Sequence, residues 1–348
     1  MILTPNNVKR VADQLADLRG AAMKVGQLLS MDSGDLLPPQ LTELLSRLQA
    51  NAKPMPISQL NHSLEQQWGN NWQQQFSQFS FYPIAAASIG QVHQATTQDG
   101  RLLALKIQYP GINKSIDSDV NNVATLLNIS GLVPKQIDVS ELLNEAKKQL
   151  HAEADYLLEA QYVKQYRQLL ASDVRYVLPE IVDDLTTQHI LAMTFVGGIE
   201  VEALVQQPQA VRDRVIELAF NLLFREVFEF RLVQTDPNFA NYRYDLDTQQ
   251  LVLLDFGATR VYPVAITEGY CQLMTGAVVD DQPQMLAALK QIGFFSQPIE
   301  PQAQQALLAL CLEACEPLKY QGVYDFGRSD MVHRIRDSGQ QLSMKQGY

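Results

Sequence analysis

Two motifs in the C-terminal half of this chain place oxygen-bearing side chains in a defined order. The first, QTDPNFAN (residues 234–241), carries Asp236 and, five residues later, Asn241. The second follows the apolar run LVLL and reads DFG (residues 255–257). Mg²⁺ binds hard oxygen ligands and keeps several waters, so the Asp255 carboxylate and the Asn241 amide oxygen are a suitable ligand pair. We expect Asp236 to orient or deprotonate the nucleophile in a phosphoryl transfer.

The elements predicted around these motifs follow one another in a characteristic order. A helix is predicted over 210–230, then the Asp236 loop, then two strands at 241–244 and 251–254 joined by a turn. Helix, loop, hairpin and Asp-Phe-Gly in this order are typical of a protein-kinase-like fold. A second DFG, at residues 325–327, follows QGVY and has no Asp-x4-Asn before it. We interpret this second copy as a turn or a helix start.

The charge and composition of the chain limit which binding partners and which cellular compartment we expect. The 348 residues include 27 Lys and Arg against 38 Asp and Glu, which excludes nucleic acid as a partner because phosphate backbones are held by clustered basic side chains. No apolar run reaches the ~18 to 20 residues needed to span a bilayer, and the first ten residues lack the pattern of a secretion signal. The three cysteines, Cys271, Cys311 and Cys315, form no disulfide framework. We therefore expect a cytoplasmic protein without a transmembrane span.

Apolar spacing predicts helices up to residue 79 and strands after it. Helical periodicity runs through the first fifty residues, and Ser58 begins a further helix that extends to about Phe79. The pair Asp99-Gly100 marks a hairpin, because Gly readily takes the positive φ that such a turn needs. The other predicted elements are helices at 116–129 and 139–170 and strands at 176–181 and 189–195.

The segment VGG at residues 196–198 interrupts this pattern and suggests a hinge between two lobes. We predict an α+β fold, bilobal and protein-kinase-like, with an N-terminal helical extension. Its predicted parts are the extension at 1–80, an N-lobe with strands at 81–196 and a mainly helical C-lobe at 197–348.

Lys106 lies in the predicted strand LALKI (residues 103–107). In a kinase-like lobe the third strand carries a Lys that contacts the α- and β-phosphates of the nucleotide and pairs with a helix Glu. An isolated Ala-x-Lys is more often an edge-strand Lys that reaches into solvent. The two C-terminal motifs reverse that preference, and we interpret Lys106 as the nucleotide-binding lysine.

The segment IAAASIGQ (residues 84–91), called the alanine loop below, lies where a protein kinase has a Gly-rich loop over the phosphates. Its Cβ atoms stiffen the loop and restrict positive φ, so we expect the preference for a nucleotide, or its orientation, to differ from that of a protein kinase. The alternative is a small-residue turn packed under a helix. The residues expected to contact the nucleotide are Ala85, Ala86, Ala87, Ser88 and Gly90.

The segment HAEADYLLE (residues 151–159) carries three acids on a predicted helix. Asp155 and Glu159 are four residues apart and share one face, whereas Glu153 points elsewhere. The flanking apolar residues indicate partial burial, and a buried acid needs a partner. We expect one of these acids to pair with Lys106. The alternative is a solvated acidic face.

The N-terminal segment AMKVGQL (residues 22–28) has two polar residues on one helix face, Lys24 and Gln27. Gly26 inside a helix costs about 1 kcal/mol relative to Ala, which is tolerated where a close backbone approach is useful. From the residues alone, an amphipathic packing helix with a tolerated Gly is favoured.

Together these motifs resemble the UbiB/AarF family of atypical protein-kinase-like proteins, which includes mitochondrial, coenzyme Q-associated members. The matching segments occur in the expected order over roughly residues 20 to 260, and their combination is far more specific than any one motif. The catalytic loop reads Gln-Thr-Asp in place of His-Arg-Asp, in line with the coenzyme Q-associated branch. The matching segments are KVGQ, AAASIGQVH, LKIQYPG, EADY, QTDP through Asn241, and LDFGATR.

The resemblance implies a role for each residue of the predicted site. Lys106 would bind phosphates and pair with Glu159. Asp236 would be the catalytic-loop acid, and Asp255 and Asn241 would hold Mg²⁺.

The resemblance also implies that the Lys-x-Gly-Gln helix folds over the active site as a regulatory cover. Lys24 and Gln27 would then face Glu153 and Asp155, with Gly26 between them in the chain. Such a cover would block large protein substrates.

The function implied by the resemblance is an ATPase or atypical kinase that uses ATP and Mg²⁺ and supports ubiquinone biosynthesis. Quinone-precursor lipids and quinone-biosynthesis enzymes are the implied partners, with peripheral contact at the inner membrane. Two alternatives stay open: a nucleotide-binding scaffold for biosynthetic enzymes, and a small-molecule phosphotransferase of the antibiotic-phosphorylating type. The Lys-x-Gly-Gln helix and the alanine loop count against the phosphotransferase. The phosphoryl acceptor is not specified by the residues.

Overall fold

The protein is described here by a computed structural model, which divides into two compact units. The first unit consists of residues 1–219 and 234–259, and the second of residues 220–233 and 260–348. This division differs from the predicted parts at 1–80, 81–196 and 197–348, which remain predictions about lobes. The residues that the structure describes are 54–130, 140–236, 238–294 and 300–346, with 18, 20–22, 24–26 and 28 of the N-terminal segment; the side chains of 127–130 and 340–346 are outside this description.

A five-stranded antiparallel sheet forms the frame of the first unit. Leu, Ile and Thr recur in its longer strands, whose positions are mostly buried, and the β-branched Ile and Thr favour such a pleated surface. The strands are β1 (Phe76–Phe79), β2 (Ala85–Ala86), β3 (Gly90–Thr97), β4 (Leu102–Gln108) and β6 (Ile190–Thr194), in the spatial order β1-β3-β4-β6 with β2 paired to β3.

One face of this sheet packs on a helix that precedes it. Helix α1 (Ile57–Trp68) shares a buried cluster with Leu103, Leu105 and Ile107, which alternate along β4. Burying each such side chain contributes roughly 1.5 to 3 kcal/mol.

The helix predicted from Ser58 to Phe79 is shorter than expected. It ends at Trp68, where Gly69 takes a φ of +83°, a conformation that favours glycine. Residues 76–79 then form β1, and Phe76 enters the same core. The Gln-rich composition obscured this change from helix to strand.

Between β4 and the short strand β5 (Tyr176–Val177), the described residues form three helices. The prediction of one continuous helix over 139–170 was wrong, because Asp155 starts a new helix: its Oδ1 accepts a hydrogen bond from the Leu158 N–H at 3.0 Å. Asp is among the strongest N-cap residues. The helices are α2 (Ile112–Ser130), α3 (Ser140–Glu153) and α4 (Tyr156–Leu169).

A smaller sheet carries the predicted catalytic hairpin. Its strands β5, β7 (Ile199–Glu200), β9 (Tyr242–Asp245) and β10 (Gln250–Leu253) lie in the order β5-β10-β9-β7. The predicted strands at 241–244 and 251–254 are thus present within one residue. Helix α5 (Gln209–Phe224), a wider helical turn (Arg225–Phe230) and β8 (Leu232–Gln234) precede the Asp236 loop.

The second unit contains helices that pack on one another. Leu273 and Ala277 share a buried cluster with Met285 and Leu289. Strand β11 (Thr259–Val261) precedes these helices, which are α6 (Val264–Val278), α7 (Gln282–Ile292), α8 (Pro301–Ala314), α9 (Glu316–Lys319) and α10 (Met331–Gln346).

The second DFG copy forms a turn in this unit, as predicted. Asp325 Oδ1 accepts hydrogen bonds from the backbone N–H groups of Gly327 and Arg328 at 3.0 and 3.2 Å. The residues after this turn lead into α10.

None of the described helices is both long enough and apolar enough to cross a bilayer.

Candidate nucleotide site

Lys106 lies between two carboxylates that come from distant parts of the first unit. Its Nζ lies 3.0 and 3.1 Å from the two carboxylate oxygens of Glu159 on α4, and 3.1 Å from Oδ2 of Asp255. The ring of Tyr156 lies beside the ammonium, with its centroid 5.4 Å from Nζ, a distance at which a cation is attracted to an aromatic face. The expected pairing of Lys106 with an acid of this segment is therefore present, and the acid is Glu159.

Burial and the contacts among Lys106, Glu159 and Asp255 shift the pKa values of all three groups. Burial opposes the charge of Lys106, but the carboxylates of Asp255 and Glu159 outweigh burial and raise its pKa well above the usual value. Burial raises the pKa of Glu159 to about 7, because the attraction of Lys106 only partly offsets the loss of hydration. The pKa of Asp255 is lowered despite burial, because Lys106 and the Gly257 N–H, which donates to Oδ1 at 2.9 Å, stabilise its charge.

The catalytic-loop segment is folded back on itself by amide side chains. Gln234 accepts from the Asp236 N–H through Oε1 at 2.5 Å and donates to the Asp255 carbonyl at 3.3 Å. Asn241 donates through Nδ2 to the Asp236 carbonyl at 3.1 Å, so that its Oδ1 remains as the acceptor. Asp236, Asn241 and Asp255 all contribute to the wall of one pocket.

This pocket has a volume of about 450 Å³, within the usual range for sites that hold small molecules. Lys106 and Glu153 also line it, together with residues of the alanine loop. Its walls also include residues at the end of β6 and in or near the hairpin, among them Met193, Thr194, Phe195, Val196, Phe239 and Arg243.

The donor set in this pocket fits Mg²⁺ held together with phosphate. Within the described part of the chain, no group of three or more His, Cys, Asp or Glu is arranged to hold a metal ion. A metal would therefore rely on the Asp255 carboxylate and the Asn241 Oδ1, which suits Mg²⁺ because this ion usually takes one or two protein oxygens and completes its shell with water and substrate phosphate.

The alanine loop adopts a tight hairpin above this pocket. Ala85 and Ala86 form β2 and pair with Val92 and Gln91, and the Ala87 N–H donates to the Gly90 carbonyl at 2.9 Å. Ala85, Ala86, Ala87 and Ser88 line the pocket.

Gly90 has a structural role that the sequence did not indicate. It is buried, and a Cβ on it would lie 2.4 Å from the Ile107 carbonyl oxygen and 3.0 Å from the Tyr156 hydroxyl. The close approach of β3 to β4 at this point therefore requires a glycine.

Lys24 reaches the site from the N-terminal helical segment. It is 3% exposed, and its Nζ lies 2.5 Å from Glu153 Oε1 and 3.8 Å from Asp236 Oδ2. Ser88 of the alanine loop donates to the other oxygen of Glu153. Glu153 thus connects the Lys24 segment with the loop over the pocket.

The structure corrects what helix periodicity predicted for two acids. Glu153 is not turned away from the site: it faces Lys24, as the resemblance implied, and it also faces Ser88. Asp155 does not share a face with Glu159, because its side chain caps α4 by accepting from Leu158. The break between α3 and α4 causes both differences, since periodicity was extended through a point where the helix is interrupted.

The other expected cover residues are only partly described. Gly26 is buried in the helical segment with Lys24. Gln27 lies outside the described residues.

Comparison with known protein families shows which family the chain belongs to. Residues 47–289 match the ABC1 atypical kinase-like domain. The chain belongs to the ABC1 atypical kinase-like family. The resemblance proposed from the motifs and the predicted protein-kinase-like α+β fold are both confirmed.

Relatives within this family match nearly the whole chain. The chain is 36% identical over 334 residues to the rat protein "Atypical kinase COQ8B, mitochondrial", covering 96% of this chain and 63% of that protein. It is 35% identical over 338 residues to "Atypical kinase COQ8, mitochondrial" of Saccharomyces cerevisiae, covering 97% of this chain and 68% of the yeast protein. The chain thus spans less than two thirds of the rat relative.

A solved structure supports the fold. The complex of Rv3197 with erythromycin from Mycobacterium tuberculosis aligns with a TM-score of 0.61 at 23% identity, covering 96% of this chain and 92% of that one. At this identity the likeness concerns the fold alone.

Proposed function

We propose that this protein is an atypical kinase-like enzyme of the ABC1 family that uses ATP with Mg²⁺, either as an ATPase or as a kinase of a small acceptor. The observation that carries the proposal is the position of Lys106, which contacts both Glu159 and Asp255 in a pocket that also contains Asp236 and Asn241. These residue types in this arrangement are those that phosphoryl transfer requires.

Each of these side chains has a distinct task in the proposed reaction. Lys106 holds the phosphates, and Glu159 keeps its ammonium directed into the pocket. Asp255 and Asn241 hold Mg²⁺, which when bound neutralises the charge of the phosphates. Asp236 orients the attacking oxygen or accepts its proton, and burial favours this role because it raises the Asp236 pKa toward neutrality.

The alanine loop and Lys24 bear on the choice of acceptor. Ser88 and Lys24 meet at Glu153, and Lys24 lies 3.8 Å from Asp236. Chain segments that close over the pocket at this point favour water or a small molecule as acceptor over a folded protein.

We further propose that the activity supports the synthesis of an isoprenoid quinone such as ubiquinone. The support is the similarity of the motifs to the UbiB/AarF family and the match to the COQ8 atypical kinases. Quinone-precursor lipids, quinone-biosynthesis enzymes and peripheral contact with the inner membrane belong to this proposal.

The test is ATP hydrolysis by the purified protein with Mg²⁺, with and without liposomes and a phenol that resembles a quinone precursor. We expect Mg²⁺-dependent release of phosphate that is lost in Asp255→Asn. If no phosphate is released under any condition while ATP still binds, the enzymatic proposal fails.

A nucleotide-binding scaffold is the second candidate. It is favoured by the position of Lys24, whose ammonium lies beside the predicted catalytic acid, where it would hinder an acceptor. A scaffold would continue to support quinone synthesis in cells as Asp255→Asn, provided that the variant binds ATP.

A further inference from the structure

Gln108 is a buried amide that none of the proposed catalytic roles uses. It lies two residues after Lys106 on β4, so both side chains project from the same face of the strand. Gln108 is 3% exposed, and its Nε2 donates to the Ala154 carbonyl at 2.7 Å. Strand β4 therefore contacts the α3–α4 segment at two places, through Lys106 to Glu159 and through Gln108 to Ala154.

The Ala154 carbonyl lies in the interruption between the two helices. The Asp155 side chain accepts a hydrogen bond from the Leu158 N–H. The first backbone hydrogen bond of α4 runs from the Glu159 N–H to the Asp155 carbonyl at 3.0 Å. Carbonyls at a helix end need partners from outside the helix. Gln108 supplies one at the point where the chain changes direction.

The orientation of the Gln108 amide is set from its other side. His189 Nδ1 lies 2.8 Å from Oε1 of the Gln108 side chain. The backbone N–H of Gln108 also donates to the backbone carbonyl of His189, at 3.1 Å. With Oε1 accepting from His189, Nε2 is directed to Ala154.

The break has a consequence for the two glutamates that flank it. In a continuous helix, residues six apart lie on different faces. Here, however, Glu153 Cγ and Glu159 Oε2 lie 3.5 and 3.4 Å from the position that a Cβ would occupy on Gly257. The break therefore brings both acids to the same side, one toward Lys24 and the other toward Lys106.

We propose that Gln108 is a positioning residue: by holding the Ala154 carbonyl, its amide maintains the break between α3 and α4 and so directs Glu153 and Glu159 into the site. The role of Gln108 in maintaining the break does not depend on the proposed function, whereas its effect on turnover rests on that function. Two measurements separate these parts.

The first measurement is hydrogen–deuterium exchange, followed by mass spectrometry, of the peptide that covers residues 152–160. In Gln108→Leu we expect amide exchange in this peptide to rise by roughly tenfold or more, since the break loses its partner. Gln91→Leu is the matched control. Gln91 is 1% exposed on β3, and its side-chain amide forms hydrogen bonds with the Met55 N–H and the His93 ring rather than with the break. Unchanged exchange in Gln108→Leu, or an equal rise in both variants, would overturn the proposal.

The second measurement is a double-mutant cycle on kcat for ATP hydrolysis with Gln108→Leu and Glu159→Gln. If Gln108 acts in part through Glu159, Gln108→Leu alone lowers kcat by about tenfold or more, and the loss in the double variant is smaller than the product of the two single losses. Fully additive losses would contradict the proposal. An inactive wild-type protein would refute the proposed enzymatic function, and the exchange measurement would still decide the role of Gln108.

A milder variant covers the case in which Gln108→Leu does not fold. His189→Phe keeps Gln108 but removes the group that orients its amide, and His189 is only half-buried. We expect a smaller rise in exchange, of about threefold, confined to the same peptide. Exchange equal to wild type in that peptide would count against the proposal.

Discussion

Lys106 and Glu159 form a bidentate ion pair in which Nζ lies 3.0 and 3.1 Å from the two carboxylate oxygens. The Glu159 residue is 1% exposed, and the same ammonium also lies 3.1 Å from Asp255. One cation therefore serves two buried or partly buried acids, which makes the site sensitive to the loss of any member.

Replacing Lys106 by Met should destabilise the protein and abolish turnover. The variant leaves Glu159 and Asp255 side by side without their cation, and breaking a buried pair in this way costs about 3 kcal/mol. The free energy of unfolding from urea titrations at pH 7 measures the loss. The double variant Lys106→Met/Glu159→Gln should recover part of it, because the buried charge is removed as well; a double variant no more stable than the single one would contradict this account.

The stability of the wild-type protein should depend on pH through Glu159. Its pKa is raised by burial to about 7 in the folded state, from 4.5 in the unfolded chain. The folded protein thus holds a proton that the unfolded chain releases, so this contribution to the unfolding free energy is full below pH 4.5 and is lost as the pH rises through about 7. We expect a total change of at most about 3 kcal/mol.

The comparison variant for this pH dependence is Glu159→Gln, which has no proton to lose at this position. Urea midpoints at several pH values between 5 and 8 should show a steeper decline for the wild type than for the variant. Parallel pH profiles of the two proteins would show that Glu159 does not titrate in this range.

Lys24→Met should change the pH dependence of ATP hydrolysis. Burial raises the Asp236 pKa, and Lys24 at 3.8 Å opposes that rise. Removing Lys24 should therefore raise the Asp236 pKa further, and the acid limb of kcat/KM should move to higher pH. Lys164→Met, which removes a half-exposed Lys paired with an exposed Asp183, is the control. An unmoved acid limb would argue against Asp236 as the ionised group in turnover.

Gly90→Ala should be strongly destabilising, although the change is one methyl group. The new Cβ would lie 2.4 Å from the Ile107 carbonyl oxygen, and this backbone atom cannot rotate away. A loss of about 2 to 3 kcal/mol is expected from the forced separation of β3 and β4. Gly197→Ala is the matched control, because no atom beyond the neighbouring residues in the chain lies within 4 Å of its Cβ position. Equal urea midpoints for the two variants would show that the strands can separate without loss.

Local patterns predicted the parts of this site that lie close together in the chain. The hairpin around residues 242–253, the loop that carries Asp236 and the turn at the second DFG all follow from short-range propensities. Lys106 was identified because its strand and the C-terminal motifs point to one chemistry. The same local patterns failed at Ser58–Phe79 and at Asp155, where an element ends inside a segment whose composition does not change.

The amino-acid sequence by itself determined the family and the chemical groups of the site, because motif order and residue type are properties of the chain. The residue pattern alone left open which acid pairs with which cation, and only the tertiary structure shows the contacts that the resemblance implied, Glu159 with Lys106 and Glu153 with Lys24. It also assigned Asp155 to a helix cap and gave Gln108 its contact with Ala154. The physical reason is that the direction of a side chain depends on where its helix starts. That start is set by contacts between residues distant in the chain, here β4 against the break between α3 and α4.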